Sequence, residues 1–552
     1  MSEGNEPGAP APGAGGSPAG GRPEFERKDG RGPRRGRGVG IVVAIVAIVA
    51  ALAGGATWAI LANASRSAGG PAPQPGGTAA PTGAAATALT VGLSLEPTNL
   101  DIIGQSGVAL EQILLDNVYQ GLVSVDDDGT IVPSLADSWR VSDDGTSYTF
   151  QLHPEVQFHD GAPLSSADVV ATYEMVKGDK AAVANPVFAD VESITAPDDR
   201  TVVITLSHPD ADFLWNLAGR AGVVLEKGAK NDRATTANGT GPFLLEAWNQ
   251  GSSISLSRNE HYWGEAAKVS EVVFRYFGAD SNAAANALAD GDLDVLAPLD
   301  ATLAPRFQGD PRFVTGTTGS TDVFTLAYNN AKAPFTDLRV REALSRAIDQ
   351  NAFIAVLNGG GQQLGGPITE GEPGYENLNS INHYDPDSAR QLLQEAGVSG
   401  LQLTLTIPNI YESFHIGDVL TTQLAAVGVK LTVNSVDFTT WLQDVYTNKD
   451  FDLSVVDHAE AHDFGNYANP GYYWSYDNAQ VQSLYAQAMA ATDPAKTDEL
   501  LQQAARIVAN DAPAKWLFNY TPLVARKASV SGFPSYGVNS RLNLGQVAVA
   551  SE

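Results

Sequence analysis

The 552-residue chain contains no cysteine and carries 63 acidic against 34 basic residues, a formal net charge of −29. The lack of thiols excludes disulfides, thiolate metal sites, cysteine nucleophiles and a lipid-bearing N-terminal cysteine. The acidic excess argues against nucleic acid as a partner, because phosphates need cations. The length suffices for a large core or several domains.

Residues 1–38 are rich in Gly, Pro and Ala and hold Arg22, Arg27, Lys28, Arg31, Arg34, Arg35 and Arg37. Such a composition predicts a disordered tail. Residues 39–62 (VGIVVAIVAIVAALAGGATWAILA) pass without a charge, long enough for one transmembrane helix. The cations before this run and the near absence of cations after it place the tail in the cytoplasm and the remainder outside. A cleavable signal peptide is the competing reading, since Ala62-Asn63-Ala64 resembles a small-residue cleavage site; cleavage after Ala64 would release the protein. Residues 63–87 read as a Pro/Gly/Ala linker, a solvated spacer.

The folded part begins with a strand at Leu89–Leu93, broken by Glu96-Pro97, and a helix over Glu111–Tyr119. From Gly121 to Leu206 short strands and turns dominate; Tyr148, Phe150 and Leu152 alternate with polar residues, as a half-buried strand requires. A helix over Ser166–Met175 is capped by Ser165 or Ser166, and Thr201–Leu206 is a further β-branched strand. Gly239-Thr240-Gly241-Pro242-Phe243 does not read as a phosphate loop, because a strand rather than a helix follows it. A helix over Ser281–Ala289 and a strand over Asp292–Leu296 come next.

Beyond Asp322 helices and strands alternate. Helix 339–349 shows Val340, Ala343, Leu344, Ala347 and Ile348 at helical spacing. Helix 386–396 has Asp385 as cap, Pro386 in the first turn and Gly397 just past its end. Strand 401–407, helix 415–426, strand 430–436, helix 440–446 and strand 451–456 predict a parallel sheet with right-handed crossovers. Helices 479–490 and 494–509 follow. Ligands of such sheets bind beyond the carboxyl ends of the strands, which singles out the segment after the last strand, Asp457-His458-Ala459-Glu460-Ala461-His462-Asp463.

A series of short motifs then aligns with one known family. They are Glu96-Pro97-Thr98-Asn99-Leu100-Asp101, Asn117-Val118-Tyr119-Gln120-Gly121-Leu122 and Pro133-Ser134-Leu135-Ala136-Asp137-Ser138-Trp139. Val156-Gln157-Phe158-His159-Asp160-Gly161, the 239–243 element, Asn259 with Tyr262-Trp263, and Tyr328-Asn329 with Arg339–Leu344 continue the series. In this order the chain resembles the solute-binding proteins of peptide- and nickel-type ABC importers, from about Leu89 to about Pro534. The resemblance implies an α/β fold of two periplasmic-binding-protein-like lobes (type II, large peptide-binding class). The first lobe would comprise 88–322 and 515–552 with an inserted β-rich subdomain, and the second 323–514. It implies a monomeric receptor without a catalytic step or cofactor. That receptor closes about a hinge on a peptide or small polar solute and delivers it to ABC permease subunits.

Peptide-binding members of the family hold the ligand's amine on an Asp after this same strand, within a pattern of Trp, Asp and Asp-Pro. Here Asn469-Pro470 replaces Asp-Pro, and Asp463 and Glu460 are the candidate amine partners through a charge-assisted hydrogen bond. His458 and His462 complete the polar set; with Glu460 they also suit a metal or metal complex. Tyr328, Tyr472, Tyr473 and Trp474 are candidate apolar lining. Gln105 and Ser106 in the 104–107 loop, and Glu96, are further contacts because they follow a strand end. A tethered sensor without transport is the alternative function. A hydrolase lacks support, because neither Gly-x-Ser-x-Gly nor His-Glu-x-x-His occurs.

Overall fold

The computed structural model describes residues 87–104, 108–126, 129–278, 280–534 and 541–550. The tail, the apolar run 39–62, the linker up to residue 86, and Gln105 and Ser106 lie outside the described residues. Among the described residues no helix is long and apolar enough to cross a membrane.

Among the described residues, three sheets of four or more strands organise the fold, with two further two-stranded pairs. The first has seven strands in the order 313–317, 523–527, 295–296, 88–93, 271–276, 253–258 and 243–249. The second has six, in the order 361–362, 514–520, 323–328, 453–458, 402–408 and 430–436. A four-stranded antiparallel sheet, 136–141, 147–152, 201–206 and 191–198, is inserted in the first lobe. There Tyr148, Phe150 and Leu152 are buried beside Val202, Ile204 and Leu206. Val169, Tyr173 and Val176 of helix Ser166–Gly178 belong to the same core. The period-2 pattern thus buries one face of this sheet under a helix.

The expected β-α-β-α-β run is parallel: Gln402–Pro408 pairs parallel with Lys430–Val436 and with Leu453–His458. Its second helix differs from expectation, starting as a turn of α-helix at Phe438–Trp441 and continuing as π-helix over Leu442–Thr447. The helix expected over Glu111–Tyr119 instead spans Val108–Leu114. Tertiary contacts outcompete its continuation. Asp116 takes a positive φ of 62° and pairs with Arg541 at 2.8 Å, while the Asn117 carboxamide donates to Ile113 O and accepts from Leu544 N. Only Val295–Leu296 of the strand expected at Asp292–Leu296 joins the sheet.

The 239–243 element has a packing role. A Cβ at Gly239 would lie 1.9 Å from Val118 O, and one at Gly241 2.4 Å from Asn117 O. Only glycine allows this approach of backbone to backbone. Gly241 N then donates to Val118 O, and Thr240 Oγ1 to Gln120 Oε1.

The chain passes between the two large sheets twice, at 318–322 and at 521–522. Strand Ala514–Tyr520 pairs with Val323–Tyr328, so the chain returns to the first sheet at Leu523 and not at 515 as the resemblance implied. Burial explains the difference: six consecutive residues of 514–520 are buried in the second sheet, a run suited to a central strand. The two crossings lie side by side. Thr318 N donates to Pro522 O at 3.0 Å, Ser320 Oγ to Tyr520 O at 2.6 Å, and Tyr520 N to Asp322 O at 2.8 Å.

Candidate ligand-binding cleft

The loop after Leu453–His458 stands at the carboxyl end of the parallel strands, where such sheets bind ligands. Its residues diverge. His458 is buried, with Nδ1 3.3 Å from Asp463 Oδ2 and Nε2 3.3 Å from the Tyr473 hydroxyl. Its ring lies nearly parallel to that of Tyr473. Asp463 also accepts from Asn466 Nδ2 at 3.3 Å. This carboxylate, the leading candidate for a ligand's amine, therefore has two partners within its own lobe.

His462 points to the other lobe. Its backbone adopts φ 59°, and its ring stacks on Trp215 with centroids 4.2 Å apart and planes 12° apart. Its Nδ1 is 2.8 Å from Asp212 Oδ1, and its backbone N donates to Glu372 Oε1 at 2.6 Å. Asp212 and Trp215 belong to the short helix Phe213–Leu217 and its N-cap, after the inserted sheet. Ala211 N adds a bond to Met489 O at 2.9 Å. Burial opposes the imidazolium, but the Asp212 hydrogen bond and the charges of Asp212, Glu372 and Asp463 together hold the His462 pKa above its ordinary value. Its Nε2 is buried without a hydrogen-bond partner, beside a cavity of about 20 Å³ lined by Glu372, Asp463 and Tyr485. That volume holds a single water. His458 and His462 are thus engaged by different carboxylates, and among the described residues no group of three or more acidic or imidazole side chains has metal-ligating geometry.

The carboxylates around the start of this loop are differently placed. Asp457 follows Val456 in the strand, and Phe324 faces it across the pair. Asp322 precedes the neighbouring strand and lines a cavity of about 110 Å³ beside the crossings, with Thr318, Ser320, Tyr520 and Pro522. Burial, then the charge of Glu460, pushes the Asp322 carboxyl up to about 7. Burial, with Asp322 and Glu460 adding to it, raises Asp457 well above the carboxylate range. These groups repel one another, so the protein retains protons there.

The other candidates have structural partners. Tyr328 is fully buried in the second-lobe core, its hydroxyl 3.0 Å from Ser345 Oγ and its ring parallel to Phe335. It was expected in the cleft; the burial of every residue of strand Val323–Tyr328 puts it in the core instead. Trp474 is likewise fully buried, stacked on Tyr467 at 4.5 Å, though its Nε1 has no partner. Tyr472 is half-buried and edge-on to Trp474. Glu96 accepts from Trp248 Nε1 and Gly251 N, both at 2.9 Å, which fixes the turn of hairpin 243–258.

Asp212, Trp215, Glu372 and Asp322 were not singled out from the sequence. Each lies on a different stretch of chain, and only the folded arrangement brings them to the loop. Asp457 was within the quoted segment, but nothing in its spacing distinguishes it from Asp463.

Two lobes built on separate sheets, joined by two adjacent crossings and touching across a cleft, define a hinged ligand-binding receptor. Residues 130–480 match the family described as bacterial extracellular solute-binding proteins, family 5. The chain belongs to that family. It is 28% identical over 482 residues to the probable D,D-dipeptide-binding periplasmic protein DdpA of Escherichia coli K12, covering 81% of this chain and 91% of that protein. It is 29% identical over 460 residues to the glutathione-binding protein GsiB of Pectobacterium atrosepticum, covering 77% and 87%. The structure of AgaA from A. tumefaciens R10 with agropinic acid superposes with a TM-score of 0.68 at 26% identity, covering 84% of this chain and 99% of that one. NikA from Brucella suis, at 22% identity and a TM-score of 0.75, shares the fold, with 84% and 100% covered. The protein is an extracytoplasmic substrate-binding receptor of the ABC-importer type.

Proposed function

We propose that this receptor captures a peptide or similar small polar solute between its lobes, as a monomer, and hands it to ABC permease subunits without a catalytic step. The placement of the 457–463 loop carries the reading: it brings carboxylates to the carboxyl ends of the parallel strands and touches the opposite lobe through His462. The D,D-dipeptide and glutathione specificities named for its relatives support this ligand class. A ligand that binds only the folded, closed form raises the melting temperature by mass action. Full-length protein mixed with a dipeptide and tripeptide pool should show an upward shift of a few degrees. No shift with any peptide, sugar or chelated metal would remove the support for capture.

The uncharged run 39–62 supports a single-pass anchor that holds the receptor beside its permease, with the C-terminal part outside. N-terminal sequencing of the mature protein should find the native start. A start at Ser65 would mean a released protein.

A further inference from the structure

The cavity of about 110 Å³ beside the paired crossings is walled mostly by carbon. Ala297 and Pro298, which follow strand Val295–Leu296, and Val524 of strand Leu523–Lys527 give it one side. Phe533 and Leu542 from the C-terminal stretch give it another, and Tyr520 closes it from the second sheet. An apolar cavity of about 150 Å³ takes a benzene ring, so this one has room for about four or five heavy atoms.

Most polar groups in the wall are already committed. Arg541 Nη1 lies 2.8 Å from Asp116 Oδ2 and donates to Ala218 O at 3.1 Å. Ser320 Oγ donates to Tyr520 O and accepts from Asp322 N at 3.1 Å. Burial and the charge of Glu460 push the Asp322 carboxyl up to about 7, so below that pH it keeps its proton. The lining residues then present no uncompensated charge.

Gln112 is the exception. It sits in helix Val108–Leu114, only 7% exposed, and lines the cavity. Among the described residues no group hydrogen-bonds its carboxamide, although buried polar groups are costly to leave unpaired. That carboxamide offers two N–H donors and one carbonyl acceptor.

We infer that this cavity receives an uncharged primary carboxamide of the captured solute, in peptide terms the side chain of glutamine or asparagine, which pairs amide to amide with Gln112. This rests on the ligand-capturing reading above and names its substrate class. A primary amide presents an N–H and a C=O side by side, so it satisfies both ends of Gln112 at once. A trans peptide group holds its N–H and C=O on opposite sides and reaches only one end. A carboxylate brings acceptors alone, an ammonium donors alone and an aliphatic group neither. Either charged group would also lose its hydration against an apolar wall.

Titration calorimetry on the full-length protein at about pH 6 tests the inference. The probes are Ala-Gln, Ala-Glu, Ala-Leu and Ala-Lys with their reversed sequences, so that each side chain is offered in both positions. The better glutamine peptide should bind about tenfold or more tightly than every glutamate, leucine and lysine peptide, because a site that hydrogen-bonds its ligand rejects analogues lacking the partner. Gln112→Leu, which keeps the size of the side chain, should lose the preference for glutamine over leucine while the circular dichroism spectrum stays native. Thr318→Leu, which fills the cavity from the crossing, should weaken the glutamine peptide by about tenfold. A glutamate or lysine peptide that binds as tightly as the glutamine one overturns the assignment, and so does an unchanged order of affinities in Gln112→Leu. Equal binding of all the peptides, as expected if the cavity holds only water, overturns it and leaves the receptor reading intact. If no probe and no member of the peptide pool binds, both readings fall.

Discussion

Ligand-free protein should lose stability as pH rises from about 5 to about 8, and Asp322→Asn or Asp457→Asn should flatten that loss. The cause lies in the cluster at the end of the second sheet. In the unfolded chain each carboxyl titrates near its ordinary value of 3.8, whereas in the folded protein burial and the charge of Glu460 push Asp322 up to about 7. Between those values the folded state holds a proton that the unfolded state has released. Stability therefore falls with rising pH across this window. One pKa unit corresponds to about 1.4 kcal/mol, so the loss is on the order of a few kcal/mol, or roughly 5 °C in melting temperature. The general self-repulsion of a chain with net charge −29 acts in the same sense, and the two asparagine variants separate the local part from it. Each should be more stable than the parent at the upper pH and nearly equal to it at the lower one. Parallel melting curves for parent and variants across the range would defeat the account.

His462→Ala should open the lobes of the ligand-free protein and weaken ligand binding by about tenfold to a hundredfold. The imidazole joins the lobes by a charge-assisted bond to Asp212 and by its stack on Trp215. A hydrogen bond to a charged group contributes about 1.5–3 kcal/mol, and the apparent affinity falls with the population of the closed, competent form. Solution scattering should show a larger radius of gyration for the variant, while its circular dichroism stays native. Asp212→Asn should reproduce part of the effect, because it keeps the shape but removes the charge. The contact also weakens with pH in a defined direction. With the folded pKa above the ordinary 6.5, the imidazolium's contribution is complete below that value and lost as pH rises through the folded one. An unchanged scattering profile for His462→Ala would show that the contact does not hold the lobes together.

The sequence made the framework legible wherever a periodic pattern met a strong punctuation signal. Helix Pro386–Glu395 is the plainest case, with Asp385 Oδ1 accepting from Ser388 N and Gly397 at φ 71° just beyond. The parallel run in the second lobe followed equally directly from alternating strand and helix patterns. Failures came where tertiary contacts override local preference. Asp116 and Asn117 end their helix because Arg541 and Leu544, more than four hundred residues away in sequence, bind their side chains. The site was legible only as a segment. Loop 457–463 was found, but Tyr328 and Trp474 proved to be core, and the partners of His462 come from remote stretches. Polar residue types reveal that a group can bind something; they do not reveal which carboxylate is already satisfied. Asp463 and Asp457 look alike in sequence and differ in the structure by two partners against an empty buried oxygen.

The paired crossings have a mechanical consequence. Segments 318–322 and 521–522 run next to each other and are laced together by the Thr318–Pro522 and Ser320–Tyr520 bonds. Two such ribbons resist sliding and stretching and yield most readily to torsion. The relative travel of the lobes is thereby reduced to a swing about one line, with both cores moving as rigid leaves. Asp322 sits on that line. The contact of His462 with Trp215 lies away from that line, so a small turn at the crossings becomes a larger displacement there.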